Sequence, residues 1–236
     1  MNVRIGIAGN IGVGKSTLTG LLAEHLNARA YYEKFQGNPY LDDFYQDMER
    51  WSFHSQIYFL IQRVKEIQEL AQVNSALILD RTIYEDAEIF ATNLHRQGKL
   101  NRRDFQTYFE LYQTVSKLLR NPDIVIYLAA KVDTLLARIR RRGRENERNI
   151  SPEYLGQLNQ LYNNWASKMV QITGTLTIQT DHMELGDEGD RQAIFDAVRQ
   201  ALASPEIAFR SGNFDYCPPS GELHIEPVLQ SISNFE

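Results

Sequence analysis

The run Gly9-Asn10-Ile11-Gly12-Val13-Gly14-Lys15-Ser16 has the spacing G-x-x-x-x-G-K-[ST], a pattern suited to holding phosphate. Glycines let the backbone curl so that successive N–H groups and a helix N-terminus face one anion. Lys15 can reach the β- and γ-phosphates, and the Ser16 hydroxyl can ligate Mg²⁺. The predicted ligand is ATP or another nucleoside triphosphate, contacted from Gly9 to Thr17. Motor ATPases, GTPase switches and small-molecule kinases share such a loop, so it names a phosphate donor and leaves the acceptor open. The guanine-reading N-K-x-D signature is missing, because Asn121-Pro122-Asp123 lacks the lysine.

Further residues suggest phosphoryl transfer. Glu33 stands eighteen residues past Lys15, where a second strand would end at the same sheet edge as the loop, and a carboxylate there can accept a hydroxyl proton. Asp80-Arg81 closes the apolar segment Leu77-Ile78-Leu79, setting an acid near the metal and a permanent cation near the transferring group. Gln56 and Arg63 are seven apart and share a helix face bordering the stripe Phe53, Ile57, Leu60, Val64 and Ile67. Asp86 and Phe90 are four apart on the next predicted helix. Arg138, Arg140, Arg141, Arg142, Arg144 and Arg148 crowd a short stretch in which Arg138 and Arg142 share a face, and Arg144 follows Gly143 where apolar periodicity ceases. That stretch, about residues 138–150, reads as a mobile arginine lid closing over the donor.

Positioning such residues requires a rigid frame. Near-continuous apolar segments, Val3-Arg4-Ile5-Gly6-Ile7-Ala8, Ala76 to Asp80, Ile124 to Leu128 and Leu176 to Gln179, alternate with amphipathic helical stretches beginning at about Lys15 to Leu26. The rhythm predicts a one-domain α/β fold: a doubly wound parallel sheet flanked by helices. Helix starts are marked by Thr82 with Glu85, spaced as a capping box, and by Ser151-Pro152. The kinase domain is predicted over residues 1–204 and an aperiodic tail over 205–236, packed irregularly or mobile. The net charge of -5 argues against a nucleic-acid partner, and lone Cys217 against an internal disulfide or a cysteine-based metal site. No apolar run is long enough for a membrane span, so a soluble, cytoplasmic protein without a membrane partner is expected.

Together these markers resemble the deoxynucleoside kinases, the group that phosphorylates deoxycytidine, deoxyguanosine and deoxyadenosine. The resemblance covers most of residues 3–200: Gly9 to Ser16, Glu33, Tyr45 with Arg50-Trp51-Ser52-Phe53-His54-Ser55-Gln56 to Arg63, Asp80-Arg81-Thr82-Ile83-Tyr84-Glu85-Asp86 with Phe90, and Arg138 to Tyr154. It implies a P-loop kinase fold and transfer of a γ-phosphoryl group to a deoxynucleoside 5′-hydroxyl, with Mg²⁺. By resemblance Glu33 is the general base, steadied by Arg81, and Asp80 helps Ser16 hold the metal. Gln56 would bond the base, Arg63 would pair with Asp86 beside a stacking Phe90, and Tyr45 and Glu147 would contact the sugar 3′-hydroxyl. Lys15, Arg138, Arg142 and Arg144 would serve the donor. A homodimer is implied too. The spacing around Asn38-Pro39-Tyr40 resembles the purine branch, favouring deoxyadenosine or deoxyguanosine, then deoxycytidine, with a nucleoside monophosphate kinase, another small-molecule kinase or a non-catalytic nucleotide-binding module as alternative readings.

Overall fold

Alternation in β1 (Arg4–Gly9) drives Ile5 and Ile7 to one face of a sheet and Ala8 to the other, and all six residues are buried. A computed structural model describes residues 3–32, 37–71, 73, 75–144, 147, 150–170, 173–203 and 214–216. Three further apolar strands follow the same logic, β3 (Leu77–Asp80), β4 (Ile124–Ala129) and β5 (Gly174–Gln179), with the shorter β2 (Arg29–Tyr31) at one edge. All pair in parallel in the order β2-β3-β1-β4-β5. Phe214–Tyr216 adds β6 alongside β5, so part of the predicted aperiodic tail continues the sheet instead. A backbone edge can recruit a strand whose side chains carry no period, because the ladder bonds are main-chain bonds.

Helices bury both faces. On one, α1 (Lys15–His25), α7 (Val132–Arg142) and α9 (Glu188–Ala203) enclose Ile5, Ile7, Leu18, Leu22, Ile126 and Ile178. On the other, α3 (Met48–Ala71), α6 (Arg102–Ser116) and α8 (Pro152–Met169) enclose Leu60, Tyr108, Val125, Tyr127, Tyr162 and Trp165. A short α2 (Leu41–Gln46) precedes α3. Both marked helix starts form: Ser151 Oγ accepts the Tyr154 N–H at 3.1 Å with Pro152 in the first turn, and Thr82 and Glu85 make a capping box for α4 (Ile83–Glu85).

One local form differs from expectation. Between α4 and α5 (Thr92–Arg96) the chain widens into a π-helical segment, Asp86–Ala91, where Thr92 Oγ1 donates to Ala87 O at 2.9 Å. Such insertions cluster at functional sites, since the wider turn re-aims the side chains it carries. No helix of the described residues is long and apolar enough to cross a membrane.

Candidate active site

Parallel strands point their carboxyl ends the same way, so the turns after β1 and β3 leave from one edge of the sheet. There the phosphate loop curls from Gly9 into α1. Gly9 (φ 146°) and Gly12 (φ 83°) occupy backbone regions that favour glycine. A Cβ on Gly9 would stand 2.6 Å from Leu128 O, and one on Gly12 would stand 2.7 Å from Ile139 Cγ1 on α7. Lys15 Nζ donates to Gly9 O (2.8 Å) and Asn10 O (3.0 Å), bracing the loop. Asn10 Nδ2 ties it to α8 through Leu155 O (3.0 Å) and Asn159 Oδ1 (2.7 Å). No acidic residue stands in the first turn of α1 and no side chain caps it among the described residues, leaving its positive end suited to an anion.

Beside this loop Ser16 Oγ donates to Asp80 Oδ2 at 2.5 Å. Asp80 is buried, and its Oδ1 has no hydrogen-bond partner among the described residues. A buried carboxylate oxygen next to a hydroxyl is a donor set that fits Mg²⁺, a hard cation preferring oxygen ligands.

The next residue, Arg81, takes a left-handed backbone (φ 83°) uncommon outside glycine, held by its N–H bond to Ile7 O at 2.9 Å. Its guanidinium lies over the Phe90 ring at 4.4 Å and donates to the Tyr162 hydroxyl at 3.2 Å. Phe90 and Asp86 both belong to the π-helical segment, which packs against α3. Across that contact Arg63 Nε donates to Asp86 Oδ2 at 3.2 Å, as the resemblance implies. Arg63 also donates through Nη1 to Glu66 Oε2 at 3.0 Å, so one cation serves two buried carboxylates. Gln56 is buried on the same helix, and its neighbour Ser55 accepts from Asn38 Nδ2 at 2.9 Å, anchoring the preceding loop.

Tyr45 lies near Glu147: the residue as a whole keeps 45% of its exposure, but desolvation at its hydroxyl first, and then the Glu147 charge, pushes that hydroxyl up. Tyr154 completes this corner, its hydroxyl raised by burial and then by Tyr45, with Arg81 opposing.

The arginines part company. Arg142 ends α7 and is paired with Glu147, which Arg144 Nη1 also approaches at 3.4 Å. Arg138 differs from the expected open lid cation. Its guanidinium is filled by Thr180 Oγ1 (2.9 Å) and three carbonyls, Val13 O (3.2 Å), Thr180 O (2.5 Å) and Met183 O (3.2 Å), so it clamps the phosphate loop to the turn after β5. Those carbonyls belong to the phosphate loop and to the turn after β5, so acceptors of the protein itself satisfy a side chain that can only donate. Glu33, Arg148 and the side chain of Ile67 lie outside the described residues; β2 ends at Tyr31, two residues before Glu33.

Sequence reading missed Glu66, Tyr162 and the wider role of Glu85. Glu66 was within reach, because it follows Arg63 at the i,i+3 spacing of a helical ion pair. Tyr162 had no local signal, since it arrives from α8.

The deoxynucleoside kinase family model matches residues 5–203. The deoxyadenosine/deoxycytidine kinase of Bacillus subtilis (strain 168) is 37% identical over 203 residues, spanning 85% of this chain and 94% of that protein. The deoxyguanosine kinase of Lactobacillus johnsonii is 33% identical over 202 residues, 81% of this chain and 89% of that protein. A solved structure of deoxyadenosine kinase from M. mycoides with the products dCMP and a flexible dCDP bound superposes with a TM-score of 0.75 at 29% identity, covering 84% of this chain and all of the other. A phosphate loop, an acid that ends β3 with an arginine directly after it, and a match running through all of these elements place this chain in the deoxynucleoside kinase family.

Proposed function

We propose that this protein transfers the γ-phosphoryl of ATP, or another nucleoside triphosphate, to the 5′-hydroxyl of a deoxynucleoside, with deoxyadenosine or deoxyguanosine preferred and deoxycytidine next. The observation that carries this reading is the continuity from phosphate loop to acceptor wall: Gly9 and Arg81 are bridged by Glu85, Arg81 covers Phe90, and Asp86 on the same segment holds Arg63.

In this reading the loop N–H groups and Lys15 hold the β- and γ-phosphates, with Arg142 and Arg144 around the donor and Arg138 bracing the loop through Val13 O. Ser16 and Asp80 hold Mg²⁺, which when bound offsets charge on the phosphate oxygens. Glu33 accepts the 5′-hydroxyl proton as the 5′ oxygen bonds to the γ-phosphorus. The bond from that phosphorus to the β–γ bridging oxygen breaks, and ADP leaves with the electron pair. Arg81 steadies Glu33 and charge on the transferring group, which peaks in the transition state.

Tyr45 and Glu147 face the sugar, Gln56 and Phe90 the base. Asp86 supplies an acceptor for an exocyclic amino group, which adenine and cytosine present and thymine lacks. Relatives named for deoxyadenosine, deoxycytidine and deoxyguanosine support the same range. A nucleoside monophosphate acceptor would need further cations, yet Arg63 is committed to two carboxylates and Arg50 stacks over Trp51 at 5.3 Å. Residues 1–204 are the kinase domain in this reading, and the family resemblance supports a homodimer.

A coupled assay of ADP release with the four deoxynucleosides and nucleoside monophosphates tests the proposal. Release with purine deoxynucleosides above thymidine is expected; release only with monophosphates would overturn it. Replacing Glu33 by Gln is expected to cost about 10²- to 10⁴-fold in kcat while nucleoside binding survives. A variant keeping more than about a third of kcat would remove Glu33 from the base role, since general-base assistance is worth far more than that.

A further inference from the structure

Glu85 does more than cap a helix. A capping-box glutamate needs one oxygen, and Oε2 fills that duty by accepting the Thr82 N–H at 2.7 Å and facing Thr82 Oγ1 at 3.3 Å. Oε1 points elsewhere. It accepts the Tyr162 hydroxyl at 2.8 Å and the Gly9 N–H at 3.3 Å, and stands 3.7 Å from Arg81 Nη1. A cap at a helix start is ordinarily open to water, whereas Glu85 is fully buried, at 0% exposure. A charge hidden this completely is retained only where specific partners hold it.

The partners come from three separate elements: the first residue of the phosphate loop, the arginine after β3, and a tyrosine of α8. Tyr162 closes the triangle, accepting from Arg81 Nη1 at 3.2 Å while donating to Glu85. Arg81 also sits in the left-handed backbone noted above, a form that persists where its surroundings over-determine it. Burial pushes the Glu85 carboxyl up, and the Arg81 and Lys15 cations, the Thr82 N–H and the Tyr162 hydroxyl pull against that.

We infer that Glu85 is a positioning residue for phosphoryl transfer: its second carboxylate oxygen, with the Tyr162 hydroxyl, sets Arg81 in a fixed frame relative to Gly9 and hence to the donor phosphates. The inference rests on the proposed role of Arg81 at the transferring group. Glu85 touches no substrate and works through the arginine. Donor and acceptor halves of the site are thereby held to one another before either ligand arrives.

Wild-type ADP release from ATP and deoxyadenosine reports on the proposed function itself; the ratios of variants to wild type report on Glu85. Glu85→Gln keeps shape and an acceptor oxygen but loses the charge. It is expected to lower kcat by about 10- to 100-fold, as a misplaced catalytic group does, while the KM for deoxyadenosine moves less than about 3-fold. Placed on an Arg81→Ala background, the same substitution is expected to change kcat less than about 3-fold, because the route through Arg81 is already cut. An equal loss on both backgrounds, or a lowered melting temperature with kcat unchanged, would overturn the inference. Should Glu85→Gln not fold, Tyr162→Phe keeps the ring and removes one hydroxyl. A loss of kcat confined to the Arg81-containing background is expected, and an unchanged kcat would be as damaging.

Discussion

Two sets of ion pairs flank the site and differ in one respect, water. Arg63 with Glu66 and Asp86 forms a buried cluster whose side chains keep only 5–8% of their exposure. Arg142 and Arg144 with Glu147 form a similar fork, but the arginines remain 35% and 39% exposed. Unpairing a buried charge leaves it desolvated, at about 3–5 kcal/mol, whereas an exposed pair trades easily with water for about 0–1 kcal/mol. The inner cluster is therefore built to keep one shape. The outer fork can part and re-form at small cost, which suits arginines proposed to swing onto a donor.

The largest effect expected from breaking this contrast comes from Arg63→Met, which strips the shared cation from Asp86 and Glu66. Urea unfolding of the ligand-free protein is expected to show a loss of about 3–5 kcal/mol. A loss below about 1 kcal/mol would mean that the inner cluster behaves like the outer one.

A smaller loss follows from Asp86→Ala, because Arg63 keeps Glu66 at 3.0 Å. About 1–3 kcal/mol is expected, near the cost of one lost charged hydrogen bond, with kcat/KM for deoxyadenosine falling toward that for thymidine. An unchanged order of preference would shift base reading to Gln56 and Phe90.

At the lid, Arg142→Ala is expected to alter stability by less than about 1 kcal/mol, and 1 M salt should shrink even that difference. Its kcat is nonetheless expected to fall more than its nucleoside affinity does, as calorimetry and turnover measured together would show. Equal falls would assign the residue to ground-state binding.

The smallest effect concerns Glu88, whose carboxyl burial pushes up, opposed by the Tyr112 hydroxyl at 2.8 Å and then by Lys168. A raised folded value means that the folded state holds the proton longer than the unfolded chain does. Stability contributed by that proton is present below about 4.5 and lost as pH rises through the folded value. Glu88→Gln cannot titrate, so its melting temperature relative to wild type is expected to climb from pH 4 to pH 7. A constant difference would place Glu88 in ordinary contact with water.

Local chemistry determined much of this protein. The phosphate loop was legible because its glycine, lysine and serine roles depend on neighbours in sequence, and the same holds for the capping box at Thr82 and the cap at Ser151. Strand and helix succession was legible because burial on both sheet faces writes unbroken apolar runs. Gln56 with Arg63, and Asp86 with Phe90, followed from helical spacing, although the π-helical widening beneath the latter pair left no trace in the residue pattern.

What tertiary structure alone decided is where charge is spent. Nothing near position 138 announces that Arg138 meets the carbonyls of Val13, Thr180 and Met183, since those carbonyls come from turns 125 and more than 40 residues away. Glu85 carries in sequence only the short-range signal of a cap; its second oxygen acquires meaning when Gly9 and Tyr162, 76 and 77 residues distant, fold against it. A side chain's type sets what it can bond. Which of its atoms remain for function depends on partners that only the packed sheet and helices bring within 3 Å or so, the reach of a hydrogen bond.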